Sequence, residues 1–539
     1  MLTRKIIAET SVAHFLADEE SRHLALSYCD IVHFTDGLAS EEKIRHLSEL
    51  LRSRPEQTQT ALCLSLRAKE NLTCAHDELS LFALQSNIIK VMDKVDYFAL
   101  DAEYDLVTPL LNLIPPEKRI ITRRITKLDQ PGDTGVPARR RRGYRTLASQ
   151  YQADSQFDAF LYRVICPDGL TALEFLHYNG NDKLIAYDEA EAGLWSRICA
   201  FYKGARVIFA DLQQTSLLSL EAMEKSYCLT ELPEDITGVY GIIGDAIQQS
   251  LSPLAHNAGL RALEYPAIYL PFNIDDLTTL DNYISRLAAI NLPLRGLTVT
   301  APLKATIGRH YPTTRELVKR ACSANVLKVD NDQIQVDTTD DVGLTLLLEQ
   351  HNISVKGKRV AVLGCGCSGR IAAKTLHEQG AEVTLFNRGV QRAALAHKLL
   401  HLPCLSLEDF QPDDFEVLVN TVPFASDSDI SFDPDRLAPK MIYIDFVYTP
   451  FPNPLLQQAN AKECSVIDGL MMLKSQLLSQ FYRLTGQLLP PEACQVLESV
   501  ITEKKSAGKV PHKRLSVSVS RRRNNPQPTG PEKTCRELC

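Results

Sequence analysis

No apolar run in this chain reaches the roughly 18 residues a membrane-spanning helix needs, which excludes a helical span. The start, Met1-Leu-Thr-Arg-Lys-Ile-Ile, turns almost at once into a strand pattern and leaves no room for a secretion signal, so a cytoplasmic chain is expected. Its 14 cysteines lie scattered without metal-ligand spacing, so no metal site is expected and the thiols read as reduced. Only Cys365 and Cys367 stand as near as two residues apart, and that spacing makes a strained disulfide loop. Aromatic residues are missing from residues 503–539, which carry ten Lys or Arg against three Asp or Glu. Without rings to stack on bases, and without hydrophobic periodicity, this stretch reads as a disordered basic tail, and no specific nucleic-acid partner is expected. Net charge is −7 overall, so the remainder stands at −14. Pro131 to Arg142 reads as a flexible loop with a basic end.

The stretch Arg359 to Arg388 has the order strand, G-x-G-x-x-G, helix, strand. Val360–Leu363 is a buried strand pattern, Gly364-Cys365-Gly366-Cys367-Ser368-Gly369 the turn, and Glu382–Phe386 the second strand, ending in Asn387-Arg388. That order marks a dinucleotide site. The first glycine permits a tight turn, the second lets backbone N–H groups approach a pyrophosphate, and the third lets helix and strand pack, with the helix N-terminus facing the phosphates. A carboxylate for a ribose 2′-hydroxyl is absent from the end of the second strand. Arg388, with Arg392 one helical turn on, suits a 2′-phosphate instead, so NADP is predicted rather than NAD.

At 539 residues the chain exceeds one ordinary core. The first 230 residues hold eight short strand patterns, Lys5–Thr10, Asp30–Phe34, Ala61–Leu66, Asp96–Asp101, Arg119–Arg123, Ala159–Ile165, Lys183–Tyr187 and Arg206–Asp211, separated by helical segments. This alternation predicts an α/β fold beginning with an N-terminal (β/α)8 barrel. Thr230 to Gly238 reads as a linker, followed by a second α/β domain over 238–340, completed by 469–500, and a Rossmann domain over 341–468.

Three clusters precede the glycine-rich turn. Tyr240 to Asn257 is a strand, a polar turn and a helix start, with Ser250 and Ser252 placed either to cap the helix or to hold a small anion. Gly296-Leu-Thr298-Val-Thr300-Ala-Pro302-Leu-Lys304 runs a strand into a helix with lysine in its first turn, against the helix dipole. Asn325 and Thr338-Thr339-Asp340-Asp341-Val-Gly343 follow. These motifs, with Asp445-Phe-Val-Tyr448-Thr-Pro450 and Gly469-Leu-Met-Met-Leu473-Lys-Ser-Gln476, resemble shikimate dehydrogenase over roughly residues 238 to 490. The resemblance implies a substrate domain and an NADP domain, and reduction of 3-dehydroshikimate to shikimate in aromatic amino-acid biosynthesis. It implies that Ser250 and Ser252 hold a carboxylate with Tyr448 nearby. It also implies that Thr300, Asn325, Asp340 and Gln476 bind ring hydroxyls, and that Lys304 and Asp340 form the catalytic pair. Thr298, Thr338, Val326 and Asp341 depart from the family's usual Asn, Asn, Thr and Gly, and Asp341 adds a charge beside Asp340.

A barrel ahead of such an enzyme resembles the fusion with type I 3-dehydroquinate dehydratase, which needs an imine-forming lysine and a proton-shuttling histidine. No lysine occurs between Lys127 and Lys183, so the strand expected to carry it offers Arg163, which forms no imine. Arg124 stands where the family's histidine falls, and the second strand ends in His33-Phe-Thr35 instead of Glu-x-Arg. Arg67 and Arg197 are the remaining vestiges of that family's substrate site. The expectation is an NADP-dependent shikimate dehydrogenase behind a degenerate barrel, with homodimer formation left open. A fully bifunctional enzyme and a non-catalytic NADP or shikimate sensor stay open as alternatives.

Overall fold

The structure is a computed structural model that describes residues 5–53, 59–68, 78–125, 136–212, 217–245, 247–330, 333–424, 426, 429–430 and 432–507. The chain divides into two compact units, Met1–Thr237 with Asp281–Pro293, and Gly238–Leu280 with Leu294–Cys539. Among the described residues no helix is long and apolar enough to cross a membrane.

In the first unit eight strands form one sheet: β1 (Lys5–Thr10), β2 (Ile31–Phe34), β3 (Ala61–Ser65), β4 (Tyr97–Asp101), β5 (Arg119–Arg124), β6 (Leu161–Cys166), β7 (Leu184–Asp188) and β8 (Val207–Asp211). Their order is β7-β6-β5-β4-β3-β2-β1-β8, and every ladder is parallel. The sheet is almost closed, with no β7–β8 ladder among the described residues. Each strand begins and ends within two residues of its sequence-based range, because buried parallel strands read as short continuous apolar runs. The basic stretch read as a loop is different. From Val136 it is the start of a helix, Val136–Ser155, while residues 131–135 lie outside the described residues. Pro137 suits a first helical turn, and alanine followed by arginines has high helix propensity, which outweighs the charge that suggested a loop.

The second unit carries two sheets. The first contains β9 (Gly238–Ile243), β10 (Ala267–Phe272), β11 (Leu294–Val299), β12 (Val326–Asp330) and β13 (Gln333–Asp337), in the order β10-β9-β11-β12-β13. Its first three strands are parallel, and β12 runs antiparallel to both its neighbours. The second contains β14 (Arg359–Leu363), β15 (Glu382–Asn387), β16 (Cys404–Ser406), β17 (Val417–Asn420), β18 (Ile442–Asp445) and β19 (Ser465–Ile467), all parallel, in the order β16-β15-β14-β17-β18-β19. This is the doubly wound order whose switch point, beside the C-terminal end of the first strand, receives ligands. The glycine-rich turn leaves β14 there.

The helix Gly469–Thr485, capped by Asp468 on the N–H groups of Leu470 and Met471, returns against the helix Asp340–Gln350. Ser475 Oγ donates to Gly343 O at 2.9 Å, and a Cβ on Gly343 would sit 3.1 Å from Gln476 Cγ. The last helix, Pro491–Ala507, runs through the first five residues of the stretch expected to be a disordered tail. Lys505 pairs with Asp468 at 2.6 Å, and lysines in a last turn are favoured by the helix dipole. Residues 508–539, the rest of that stretch, lie outside the described residues.

One buried histidine gives the second unit a pH dependence. His256 stacks on Tyr269 with ring centroids 4.2 Å apart, and its Nδ1 donates to Ser252 O at 2.9 Å. Burial pulls its pKa from 6.5 to about 4. The unfolded chain therefore binds the extra proton first: this contribution is complete above pH 6.5 and is lost as pH falls toward 4. The expected loss across that window is roughly 3 kcal/mol. Urea unfolding at several pH values checks it: His256→Gln should flatten the slope, and an unchanged slope refutes the assignment.

Candidate active site

Lys304 is the second residue of the helix Leu303–His310, and its cationic head would be unfavourable in that first turn without a partner. Its partner is Asp340, at the start of the helix Asp340–Gln350: Nζ lies 3.0 Å from Oδ2. Asp340 is 0% exposed, a state a carboxylate tolerates only when fully hydrogen-bonded. Its Oδ1 accepts from Asn325 Nδ2 at 2.6 Å and Gln476 Nε2 at 3.0 Å. Asn325 is fixed in turn, its Oδ1 accepting from Thr339 N at 2.8 Å. Ala324 N donates to Lys304 O at 3.0 Å, tying the segment before β12 to the lysine's own backbone. The result is an ammonium, 15% exposed, held by a buried carboxylate that two further polar side chains, Asn325 and Gln476, orient. That arrangement can present a proton to a developing oxyanion.

Ser250, Ser252 and Tyr448 also come together. The Tyr448 hydroxyl hydrogen-bonds Ser250, and burial raises its pKa while that bond lowers it. Ser250 Oγ accepts from Ser252 N at 3.1 Å, so Ser250, one residue before the N-cap Leu251, satisfies the first free N–H of the helix Ser252–Ala262 as well. Thr300, half-buried at the end of β11, packs its methyl group where a side chain on Gly244 would otherwise stand.

In the dinucleotide turn Gly364 adopts φ +101°, a conformation that favours glycine, and a Cβ on Gly369 would lie 1.9 Å from Gly364 O. Gly366 has nothing within 4 Å of the corresponding point. Cys365 is buried, with its thiol against Cys404; that neighbour and burial push its pKa up. Its N–H donates to Asn387 Oδ1 at 3.2 Å, and Asn387 Nδ2 donates to Gly389 O at 2.8 Å. Asn387 therefore joins the turn to the end of β15. Arg388 and Arg392 are exposed. Cys367 and Ser368 open the helix Cys367–Glu378.

In the first unit, the C-terminal ends of the strands line a small cavity with charged residues already paired. Arg163, on β6, makes a bidentate pair with Glu9 at 2.6 and 2.9 Å, donates to Tyr187 Oη at 2.7 Å and lies 4.0 Å over the Phe209 ring. Burial pushes the Glu9 carboxyl up, yet Arg163 and His33 bring it well below the usual carboxylate range. His33 bridges Glu9 and Ser65 at 3.0 and 2.9 Å. Arg67 pairs with Asp105 at 2.9 Å and Arg124 with Asp101 at 3.4 Å. Arg197 is buried, donating to the carbonyls of Phe209 and Glu189.

The family described as shikimate dehydrogenase substrate binding domain matches residues 242–327. Over 276 residues the chain is 31% identical to the shikimate dehydrogenase (NADP(+)) of Pelobacter propionicus, a match that takes in 50% of this chain and 99% of that one. The chain belongs to the shikimate dehydrogenase family. It is also 34% identical over 280 residues to the shikimate biosynthesis protein AroDE of Chlamydia pneumoniae, covering 51% of this chain and 56% of that one. The chain thus spans about half the length of that curated relative. The crystal structure of shikimate dehydrogenase from Aquifex aeolicus is similar with 28% identity and a TM-score of 0.45, over 49% of this chain and 97% of that one.

The departures from the shikimate dehydrogenase pattern have local partners. Thr298 shares a hydrogen bond with Tyr269 Oη, and Thr338 Oγ1 accepts from Asp340 N at 3.4 Å. Asp341 takes Arg315 Nη2 at 2.5 Å, and Arg315 also reaches Asp337 at 3.3 Å. Burial raises the Asp341 carboxyl and Arg315 opposes it, so the additional charge beside Asp340 is met by a guanidinium. Sequence reasoning missed Arg370. It is buried and donates to Ala321 O (2.7 Å), Cys322 O (3.2 Å) and Cys365 O (2.9 Å), joining the dinucleotide turn to the end of the helix Glu316–Ala321. Its signal was a cation near a helix start, the argument that singled out Lys304.

Proposed function

We propose that the chain is an NADP-dependent shikimate dehydrogenase that reduces 3-dehydroshikimate to shikimate. The observation that carries this reading is the pairing of Lys304 with a buried Asp340 that Asn325 and Gln476 also hold. In this reading Ser250, Ser252 and Tyr448 take the substrate carboxylate, and Thr300, Asn325, Asp340 and Gln476 the ring hydroxyls. Bound NADPH supplies the hydride. Lys304 gives the proton to the ring oxygen as negative charge develops there, and regains one from water afterwards. Asp340 keeps the ammonium aimed at that oxygen. The assay is shikimate-dependent reduction of NADP+ by the purified chain; NADP+ binding without turnover overturns the reading in favour of a sensor.

The residues fit the cofactor. The open space at Gly366 lets a pyrophosphate approach the helix N-terminus, and the exposed Arg388 and Arg392 suit a 2′-phosphate. Arg388→Ala should raise the KM for NADPH roughly 10- to 100-fold, as expected for losing a charge-assisted hydrogen bond, and leave that for NADH nearly unchanged. Equal changes for both cofactors would show that Arg388 does not read the phosphate.

The domains follow this reading: a substrate domain over 238–340 completed by 469–500, and a cofactor domain over 341–468. We further infer that residues 1–230 are a (β/α)8 scaffold of the type I 3-dehydroquinate dehydratase kind without its chemistry. Arg163 supports this, since a guanidinium locked to Glu9 forms no imine.

A further inference from the structure

A carboxylate offers about four lone-pair sites, and for Asp340 the chain itself supplies four partners, the weakest of which a substrate hydroxyl can displace. Asn325 and Gln476 fill Oδ1, Lys304 takes one site on Oδ2, and the other goes to Ser368 Oγ at 3.4 Å. Ser368 is the second residue of the helix Cys367–Glu378, inside the dinucleotide turn. The same hydroxyl lies 3.4 Å from Lys304 Nζ. It can therefore accept from the ammonium while donating to the carboxylate, closing a triangle with the two groups assigned to proton transfer.

Both Ser368 distances are long for hydrogen bonds, so the hydroxyl is weakly held and can be drawn elsewhere at little cost. Ser368 also stands in the first turn of a helix, where backbone N–H groups lack helical partners and negative charge is favoured. A phosphate in that turn and the Asp340 carboxylate are thus rival acceptors for one hydroxyl. We propose that Ser368 is a positioning residue that couples cofactor occupancy to the Lys304–Asp340 pair. This rests on the reading of Lys304 and Asp340 as the catalytic pair and of the turn as the NADP site. Because such coupling is reciprocal, NADP+ and shikimate must change one another's affinity by the same factor, and part of that factor passes through Ser368.

The test follows the reactivity of Lys304 in the full chain. Reductive methylation by formaldehyde and cyanoborohydride is quantified at Lys304 by mass spectrometry, with and without saturating NADP+. The wild-type rate should change at least threefold on NADP+ addition; Ser368→Ala should abolish that change and Ser368→Thr restore it. Kinetics should agree: Ser368→Ala lowers kcat about tenfold and raises the KM for NADPH several-fold, and Ser368→Thr restores both. An NADP+ effect that persists in Ser368→Ala, or is absent in wild type, overturns the proposal. Loss in Ser368→Ala without recovery in Ser368→Thr overturns it too, since packing then explains the effect. The labelling requires no turnover. If the pattern holds but shikimate is not oxidised, the reading of the reaction fails and the role of Ser368 stands.

Discussion

Lys304→Ala is expected to lower kcat for NADPH-dependent reduction of 3-dehydroshikimate by roughly 10²- to 10⁴-fold, the range for a positioned proton donor. NADPH affinity should stay within about threefold, because the cofactor contacts assigned here lie in the turn and at Arg388. The variant leaves Asp340 buried with its Asn325 and Gln476 donors but without a cation, so some loss of stability accompanies the loss of rate. Asp340→Asn separates the two effects: it removes the buried charge, and it should still fall by at least tenfold in kcat. If Lys304→Ala retains more than a tenth of wild-type kcat, water or another group supplies the proton and the assignment is wrong. The double variant should be little slower than the worse single one, since groups acting as a unit do not add.

Arg163→Met is the second large effect. Removing the guanidinium leaves Glu9 with His33 as its one other side-chain partner among the described residues, and stripping one partner from a buried ion pair costs about 3–5 kcal/mol. Chemical denaturation of the full chain, followed by circular dichroism, should show the first unit unfolding at markedly lower denaturant. Glu9→Gln combined with Arg163→Met should recover more than half of the loss, because the orphaned charge is then gone. A single-variant loss below about 1 kcal/mol would mean that solvent already satisfies Glu9, against the buried pairing described above. The proposed lack of dehydratase chemistry rests on the same residue. Borohydride treatment with 3-dehydroquinate should label no lysine in residues 1–230, and a trapped adduct there would establish a bifunctional enzyme.

Much of this was legible in the chain. The strands of the eight-stranded sheet could be placed because buried parallel strands are short apolar runs between polar helices. The glycine-rich turn could be placed because sterics dictate it: only glycine fits at 364, by its φ, and at 369, by its clash with Gly364 O. Lys304 was conspicuous as a cation at the wrong end of a helix. What escaped were partnerships between distant residues that share no local pattern. Glu9 and Arg163 are 154 positions apart, and each alone reads as an ordinary polar residue in a strand. Ser368 looked like part of a phosphate cradle, and nothing in its neighbours reveals that its hydroxyl meets Asp340. Arg370 was passed over because a buried cation bonded to carbonyls and a thiol leaves no carboxylate to notice in the sequence. The helix from Val136 was missed because a run of arginines was weighed by charge before helix propensity.

The return of the helix Gly469–Thr485 sets when the surroundings of Asp340 are complete. Gln476 reaches Asp340 across 136 positions, with the whole six-stranded sheet encoded between them. Contacts of such long sequence separation are made late, after the loop they close has been ordered. A chain emerging from the ribosome thus holds Lys304 and Asp340 long before it holds the residue that completes their surroundings. During refolding, regained turnover should lag behind regained secondary structure, and it times the docking of that one helix.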